Sequence, residues 1–305
     1  YSSNEVARVY EGLLEYHYLK RPYTLVPNLA EAMPIVSADG LTYTFKLRKG
    51  VMFHNDAAFD NGKGRELTAE DFVYSIKRLA DPKLQALGWW LLDGKVKGLN
   101  EWRAKFADLT KVDYTEEVEG IKALDRYTIQ FQLAKPFPQF LYSLAMPFTF
   151  AVAKEVVTKY GKEFINHPVG TGPFILPVFK QSNKITYTKN PAFRKKLYPS
   201  DASAEFKHLL KDAGKPLPFV DKVVVDILVE SQPRWLNFQK GRIDYIVIPK
   251  DNFDSAVIPG KGITDELAKK GISLLVTPSL DVTYTAYNHD RELFRNLKLR
   301  QAMSA

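Results

Sequence analysis

The amino-acid sequence predicts an α/β (mixed α+β) fold over 305 residues. Two strands are indicated by strict alternation of apolar and polar residues, at 41–48 (LTYTFKLR) and 125–133 (DRYTIQFQL). Between them, the apolar spacing in 69–80 predicts an amphipathic helix. The strand–helix–strand order across 223–248 favours a βαβ unit with a parallel sheet. Helices and strands therefore alternate along the chain without one dominant period.

In the amino-terminal half, residues 1–14 carry apolar side chains at helical spacing and predict a helix. Strand 41–48 is closed by Gly50. Thr68 and Asp71 have the spacing of a capping box, which predicts the start of the next helix. Asp81-Pro82 predicts the end of that helix.

In the carboxyl-terminal half, the turn Gly170-Thr171-Gly172-Pro173 leads into a predicted hairpin, 174–179 with 184–189. Ser231 is predicted to cap a helix, and Gly241 is predicted to end it. The remaining predictions are strands at 223–229, 243–248, 272–277 and 282–288, and helices at 140–144, 154–160, 231–240 and 264–270.

The charge and composition exclude or disfavour several classes of protein. The chain has no cysteine, which excludes disulfides, thiol catalysis and iron–sulfur clusters. The formal net charge is +8, but lysine and arginine are spread along the whole chain. Nucleic-acid-binding proteins usually concentrate these residues on one face, so a solvated basic surface is favoured over a nucleic-acid partner. No apolar stretch is long enough for a membrane-spanning helix, and Pro147 interrupts the nearest candidate, 140–153.

No motif in the sequence demands an enzyme. The five histidines are not paired at metal-ligand spacing, so neither a metal nor another cofactor is predicted. The serine-hydrolase elbow, the Walker A loop and the dinucleotide-binding glycine motif are all absent. Aromatic residues, at 13% of the chain, are the positive signal. Adjacent Trp89 and Trp90 could line either a core or a ligand cleft, and at least one of them should lie near a surface.

Several segments, taken in order, resemble the family 5 extracellular solute-binding proteins, which are the oligopeptide- and dipeptide-binding subunits of bacterial ABC importers. The resemblance covers nearly the whole chain. It is carried by the segments VYEGLLEY (9–16), PNLAEAMPIVSADGLTYTFKLRKGVMFHND (27–56), LTAEDFVYSIKRLADP (67–82), GTGPF (170–174), NPAF (190–193), FVDKVVVDIL (219–228), FQKGRIDY (238–245), TYTAYN (283–288) and LFRNLKLRQAMS (293–304).

The resemblance implies a type II periplasmic-binding-protein-like lobe with an inserted small α+β domain. Lobe I, the discontinuous ligand-binding lobe, is expected at 1–36 and 165–285, and the small domain at 37–164. Residues 286–305 would begin lobe II. Since family members are larger, the resemblance also predicts that this sequence is a fragment that lacks most of lobe II.

The resemblance further implies where a ligand is contacted on lobe I. The predicted ligand-binding residues are Tyr1, Trp89, Trp90, Val247, Ile248, Pro249, Ser279, Leu280 and Asp281. Peptide-binding relatives often have polar groups after the strand that contains Ile243, whereas Ile248-Pro249 is apolar. Asp281 is a candidate ligand-facing acid, with a turn residue as the alternative.

The implied function is capture of a solute, most simply a peptide, in a cleft between two lobes, followed by delivery to the permease of an ABC importer. The implied function includes neither catalysis nor a nucleic-acid partner. The implied location is periplasmic or extracytoplasmic, in the cell envelope, with membrane association only through the permease or an upstream lipid anchor. Two alternatives stay open: the same fold could bind a sugar, a nickel chelate, haem or an opine, or the chain could be a hydrolase.

Overall fold

The computed structural model describes residues 2–176, 184–276 and 282–304, with side chains described from Glu5 onward. The chain divides into two compact units, Tyr1–Ile227 and Leu228–Ala305. Each unit is described by itself below.

The first unit contains most of the regular structure. Its helices are α1 (Ser2–Val9), α2 (Ala69–Ala80), α3 (Leu99–Lys105), α4 (Phe140–Ser143) and α5 (Lys154–Tyr160). Its strands are β1 (Leu14–Tyr16), β2 (Leu25–Pro27), β3 (Ile35–Val36), β4 (Thr42–Lys46), β5 (Ile121–Asp125), β6 (Thr128–Gln132), β7 (Phe174–Ile175), β8 (Lys184–Lys189), β9 (Lys196–Leu197), β10 (Pro216–Leu217) and β11 (Lys222–Asp226).

The main core is built on an antiparallel sheet with the strand order β3-β4-β6-β5. The register of β4 against β6 places Phe45 opposite Ile129 and Tyr43 opposite Phe131. All four of these side chains are buried. They occupy alternate positions of their strands, and alternate residues of a strand point to the same face of the sheet. The structure thus confirms the strands predicted from alternation at 41–48 and 125–133.

Helix α2 packs its apolar stripe against this sheet. The predicted capping box is present, and the carboxylate of Asp71 accepts the backbone N–H of Thr68 at 2.8 Å. Asp71 also accepts two hydrogen bonds from the guanidinium of Arg65, at 2.9 and 2.6 Å. Phe72 and Ile76 are each 1% exposed. Complete burial of side chains of this size contributes about 1.5–3 kcal/mol each, so the helix is stabilised mainly by its buried face.

A second sheet of the first unit has the order β11-β8-β7 and is antiparallel throughout. The predicted hairpin is confirmed in its described part, with Phe174 opposite Lys189. The parallel βαβ unit predicted across 223–248 is wrong: β11 is antiparallel to β8, and 243–248 has no strand. The strands predicted at 272–277 and 282–288 do not form in the parts that are described, 272–276 and 282–288. Neither segment pairs with a strand in the described part of the chain.

The first helix is shorter than its apolar spacing predicts. Helix α1 ends at Val9, whereas the prediction extended it to residue 14. Beyond Val9, tertiary contacts take the backbone hydrogen bonds. The carbonyl of Val9 accepts the N–H of Gly172 at 2.8 Å, and the carbonyl of Leu13 accepts the N–H groups of Asn28 and Ala30. Strand pairing therefore overrides the helical pattern from Leu14 onward.

The second unit contains short elements around a small core. These are α6 (Ser231–Gln239), α7 (Phe253–Ala256), α8 (Asp265–Lys269), α9 (Glu292–Arg295), α10 (Leu297–Ser304), β12 (Val257–Ile258) and β13 (Gly262–Ile263). Trp235, Ala256 and Leu267 are its buried centre. Gly241 has φ +68° after α6 and ends the helix as predicted. The N-cap of α6 is Glu230, one residue before the predicted Ser231.

Candidate functional site

Helix α1 forms the first wall of an apolar pocket within the first unit, and the glycine turn 170–173 packs against the end of this helix. Val9 is 2% exposed, and Tyr10 follows it at the end of the helix. Gly170 and Gly172 bring their backbones against this helix end. A Cβ atom would lie 2.1 Å from the carbonyl oxygen of Val9 at Gly170, and 2.7 Å from it at Gly172. Only glycine permits this approach, so the turn motif predicted from sequence is a packing requirement.

Other segments of the first unit contribute to the pocket. The last turn of α2 contributes Arg78 and Leu79, and the β7–β8 region contributes Tyr187, which is 2% exposed. The segment 147–152 contributes Phe148 and Phe150. The pocket encloses about 710 Å³, a volume typical of small-molecule sites. Apolar side chains of α1, α2, the segment 147–152 and two further stretches, 84–86 and 164–168, line it: Val6, Val9, Leu79, Leu84, Phe148, Phe150, Phe164 and Ile165.

The pocket has a buried floor and an exposed apolar rim. Leu79 and Leu176 are buried at its floor. At the rim, Leu84, Phe148 and Ile165 are exposed, with Ile165 at 77%. Large apolar side chains that face water around a cavity mark a surface, and covering that surface with a ligand lowers the free energy. The geometry therefore favours binding of an apolar group.

Two ionised side chains reach the pocket, Glu5 and Arg78. Glu5 pairs with Arg8 at 3.1 Å and accepts a hydrogen bond from Tyr187. Burial raises the pKa of Tyr187, and its hydrogen bond to Glu5 raises it further, so its hydroxyl stays protonated as a donor. Arg78 lies over the ring of Phe164, with its guanidinium carbon 5.2 Å from the ring centroid.

Tyr10 contributes a further polar group to the pocket. Its hydroxyl accepts the backbone N–H of Val169 at 3.1 Å. Burial raises the pKa of Tyr10, while that hydrogen bond and the charge of Arg78 oppose the rise. The Tyr10 hydroxyl therefore remains protonated at neutral pH, which leaves a proton to donate.

Trp89 and Trp90 lie in a 3-10 turn, Trp89–Leu91, and take different environments. Trp89 packs against the main core, and the guanidinium carbon of Arg103 lies 4.8 Å from its ring centroid. Trp90 is 59% exposed. Gly88, just before them, lies so close to Phe148 that a Cβ atom would be 2.5 Å from its ring. The turn that carries the tryptophans thus adjoins a rim residue of the pocket.

The other predicted site residues lie elsewhere. Val247 is in the second unit and is 74% exposed, whereas Ile248 packs against the cluster around Trp235. Pro249 is buried, and its carbonyl accepts the N–H of Asn252 at 3.0 Å. The remaining four predicted residues are outside the described part of the chain: Tyr1, Ser279, Leu280 and Asp281.

Sequence reasoning missed Arg78, Tyr10 and the phenylalanines of the pocket. The available signal was the apolar run at 140–153, which was interpreted as a short helix at 140–144 and excluded as a membrane segment by its length and by Pro147. In the structure, this run supplies Phe148 and Phe150 to the pocket. Among residues 2–176, 184–276 and 282–304, no helix has the length and apolar character to cross a membrane, and no three side chains group as metal ligands.

The first unit thus combines a mixed helix-and-strand fold with an apolar pocket. Residues 24–305 match the family described as "Bacterial extracellular solute-binding proteins, family 5 Middle". The chain belongs to this family, as the resemblance of its motifs predicted.

Individual relatives agree with the assignment. The chain is 27% identical over 286 residues to Di/tripeptide-binding protein 2 of Pseudomonas aeruginosa, covering 92% of this chain and 46% of the relative. It is 29% identical over 302 residues to Heme-binding protein A of Haemophilus influenzae, covering 97% and 47%. The solved structure of the substrate-binding domain of an oligopeptide ABC transporter from Bacillus anthracis matches with a TM-score of 0.63 and 25% identity, covering 83% of this chain and 42% of that one. The chain therefore spans about half the length of the relatives it matches.

Proposed function

We propose that the protein captures a peptide outside the cytoplasm, in the periplasm or cell envelope, and delivers it to the permease of an ABC importer. It would bind its ligand without making or breaking a bond. The observation that supports this most directly is the apolar pocket of about 710 Å³ in a chain of the family 5 solute-binding proteins. The printed name of the Pseudomonas relative, a di/tripeptide-binding protein, supports the choice of peptide.

The pocket combines apolar walls with a few polar groups, as a peptide site requires. Its apolar walls supply affinity by removing a ligand side chain from water. A small number of polar groups, Arg78 and the Tyr10 hydroxyl among them, would orient the ligand. The exposed indole of Trp90, beside the turn at Gly88, is a proposed further contact.

Several predictions on sites and domains remain proposals. These are contacts from Val247, Ile248 and Pro249, contacts from the four residues outside the described part, and the division into lobe I, an inserted domain at 37–164 and the start of lobe II at 286–305. In the proposed mechanism a second lobe would close over the pocket by a hinge motion, which is a common mode of ligand capture.

Haem is the second candidate ligand. The relative from Haemophilus influenzae is named a heme-binding protein, and its match extends over 97% of this chain. An apolar pocket of this volume with one guanidinium is compatible with a large apolar ring system that carries carboxylates. Peptide is preferred because two relatives of similar identity are named for dipeptides or tripeptides.

The test is to purify the intact protein from its native host and to weigh the undenatured protein by mass spectrometry. The bound molecules are then released by denaturation and sequenced. A series of short peptides would support the proposal. A single non-peptide mass would refute peptide capture and would select haem or another solute.

A matched pair of variants locates the site. Ala86→Trp places an indole in the pocket, where Ala86 is a lining residue. Ala38→Trp adds the same side chain at an exposed position outside the pocket lining. We expect Ala86→Trp to reduce peptide occupancy at least tenfold and Ala38→Trp to leave it unchanged. Equal occupancy in both variants would remove the pocket from the proposal.

A further inference from the structure

The two charged side chains of the pocket differ in whether they have an ion-pair partner. The Glu5 carboxylate is compensated by Arg8 and by the hydroxyl of Tyr187. Arg78 makes no ion pair with any residue of the described chain; its neighbours are the ring of Phe164 and the hydroxyl of Tyr74. The pocket therefore holds a guanidinium that has no carboxylate of residues 5–176, 184–276 or 282–304 within ion-pair distance.

The surroundings of Arg78 increase the effect of this charge. The guanidinium is partly buried, with an aromatic ring on one side and the buried side chain of Leu79 next to it in the chain. Charge interactions are stronger where apolar groups displace water. A guanidinium also presents a planar pair of donors that matches the two oxygens of a carboxylate.

Tyr10 provides a second donor in the same environment. Its oxygen already accepts the N–H of Val169, so the hydroxyl proton is free for an acceptor in the pocket. Tyr10 and Arg78 both line this one pocket. An anionic oxygen placed there would meet a guanidinium and a hydroxyl proton together.

We infer that the pocket selects ligands that join a large apolar group to a carboxylate, with the carboxylate on Arg78 and Tyr10 and the apolar group against Leu79, Phe148 and Ile165. A short peptide that ends in a large apolar residue has both features. This inference rests on the proposed function, which by itself requires no preference for such peptides.

The experiment uses the intact protein, freed of bound molecules, and isothermal titration with three peptides. They are Ala-Ala-Phe with a free carboxylate, the same peptide as its amide, and Ala-Ala-Ala with a free carboxylate. The wild-type protein should bind Ala-Ala-Phe most tightly, and amidation should weaken binding by about 10–100-fold, because a hydrogen-bonded ionic contact is lost. Replacing phenylalanine by alanine should weaken binding by at least tenfold.

Substitutions assign the effect to the two donors. Arg78→Gln should weaken binding of the free peptide by about 10–100-fold and abolish the preference over the amide. Arg78→Lys, which keeps the charge without the bidentate geometry, should retain part of that preference. Tyr10→Phe should weaken the free peptide by about 3–10-fold. The matched control Arg126→Gln removes an arginine that is 58% exposed and paired with Glu66, and should change nothing.

The outcomes distinguish failure of peptide capture from failure of the carboxylate assignment to Arg78. If the wild-type protein binds none of the peptides, peptide capture itself is refuted. If it binds the acid and the amide equally, or if Arg78→Gln keeps the preference while its circular dichroism matches the wild type, peptide capture stands and the assignment of the carboxylate to Arg78 is overturned.

Discussion

Replacing Glu11 by glutamine should destabilise the first unit through a single buried ion pair. Glu11 is 5% exposed and lies just after helix α1. Its two carboxylate oxygens accept hydrogen bonds from the Arg194 guanidinium at 2.6 and 2.7 Å, and one of them accepts the hydroxyl of Thr171 at 2.9 Å. The pair joins the segment after α1 to the glycine turn and to the chain beyond β8.

The expected magnitude follows from burial. Removing one partner of a buried ion pair costs about 3–5 kcal/mol, because the other charge is left uncompensated. The Arg194 side chain is 17% exposed, and glutamine keeps one oxygen as an acceptor, so we expect the low end. A loss of about 3 kcal/mol is a large part of a typical stability of 5–15 kcal/mol. It should move the urea midpoint by roughly 1 M.

The assay is urea unfolding followed by tryptophan fluorescence. The control is Lys105→Gln, which breaks the pair of Lys105 with Glu116 at 2.5 Å, where both side chains are exposed. Exposed pairs contribute about 0–1 kcal/mol, so this variant should unfold near the wild-type midpoint. A double-mutant cycle with Arg194→Met should give a coupling free energy of about 1–3 kcal/mol. If Glu11→Gln loses no more stability than Lys105→Gln, the burial argument is wrong.

Three further predictions concern the core, the pH dependence and the glycine turn. Phe131→Ala should cost about 3–5 kcal/mol in urea unfolding, because this ring is 0% exposed in the main core; Phe131→Leu should cost clearly less. Burial lowers the pKa of His54 from 6.5, although its hydrogen bond to the Gly172 carbonyl opposes the shift. The unfolded chain then binds the proton more readily, so the free energy of unfolding should fall as pH decreases through 6.5; His54→Gln should flatten this trend, and an unchanged slope would contradict the assignment. Gly170→Ala should lower the melting temperature, because the new methyl carbon would lie 2.1 Å from the Val9 carbonyl oxygen; an unchanged value would show that the helix end can shift freely.

Local patterns predicted the elements whose determinants lie within a few residues. Alternation placed Tyr43 and Phe45 on the buried face of β4, and the structure confirms both. The capping box of Thr68 and Asp71 placed the start of α2 correctly. In these cases the side-chain period or the cap is itself the cause of the structure, so it can be identified without knowledge of distant residues.

Long-range pairing could not be predicted in the same way. The apolar run of β11 looks the same whether its partner is parallel or antiparallel, and only the contact with β8 decides the direction. The helical spacing after Val9 was equally misleading, because that part of the backbone forms its hydrogen bonds with β2 and with the glycine turn. Both errors come from treating a local period as sufficient where a distant segment supplies the hydrogen bonds.

The pocket depends on such long-range contacts more than any other feature. Arg78 belongs to a helix that was predicted, but its position over Phe164, in one pocket with Tyr10, requires segments that are far apart in the chain to meet. Two contacts hold the Tyr10 side of the pocket: the close approach of Gly170 to Val9, and the ion pair of Glu11 with Arg194. Since both fix the end of α1, a substitution of Gly170 or Glu11 should weaken ligand binding as well as stability, although neither residue lines the pocket. Loss of stability in Glu11→Gln with unchanged affinity for the ligand would show that the helix end does not set the shape of the site.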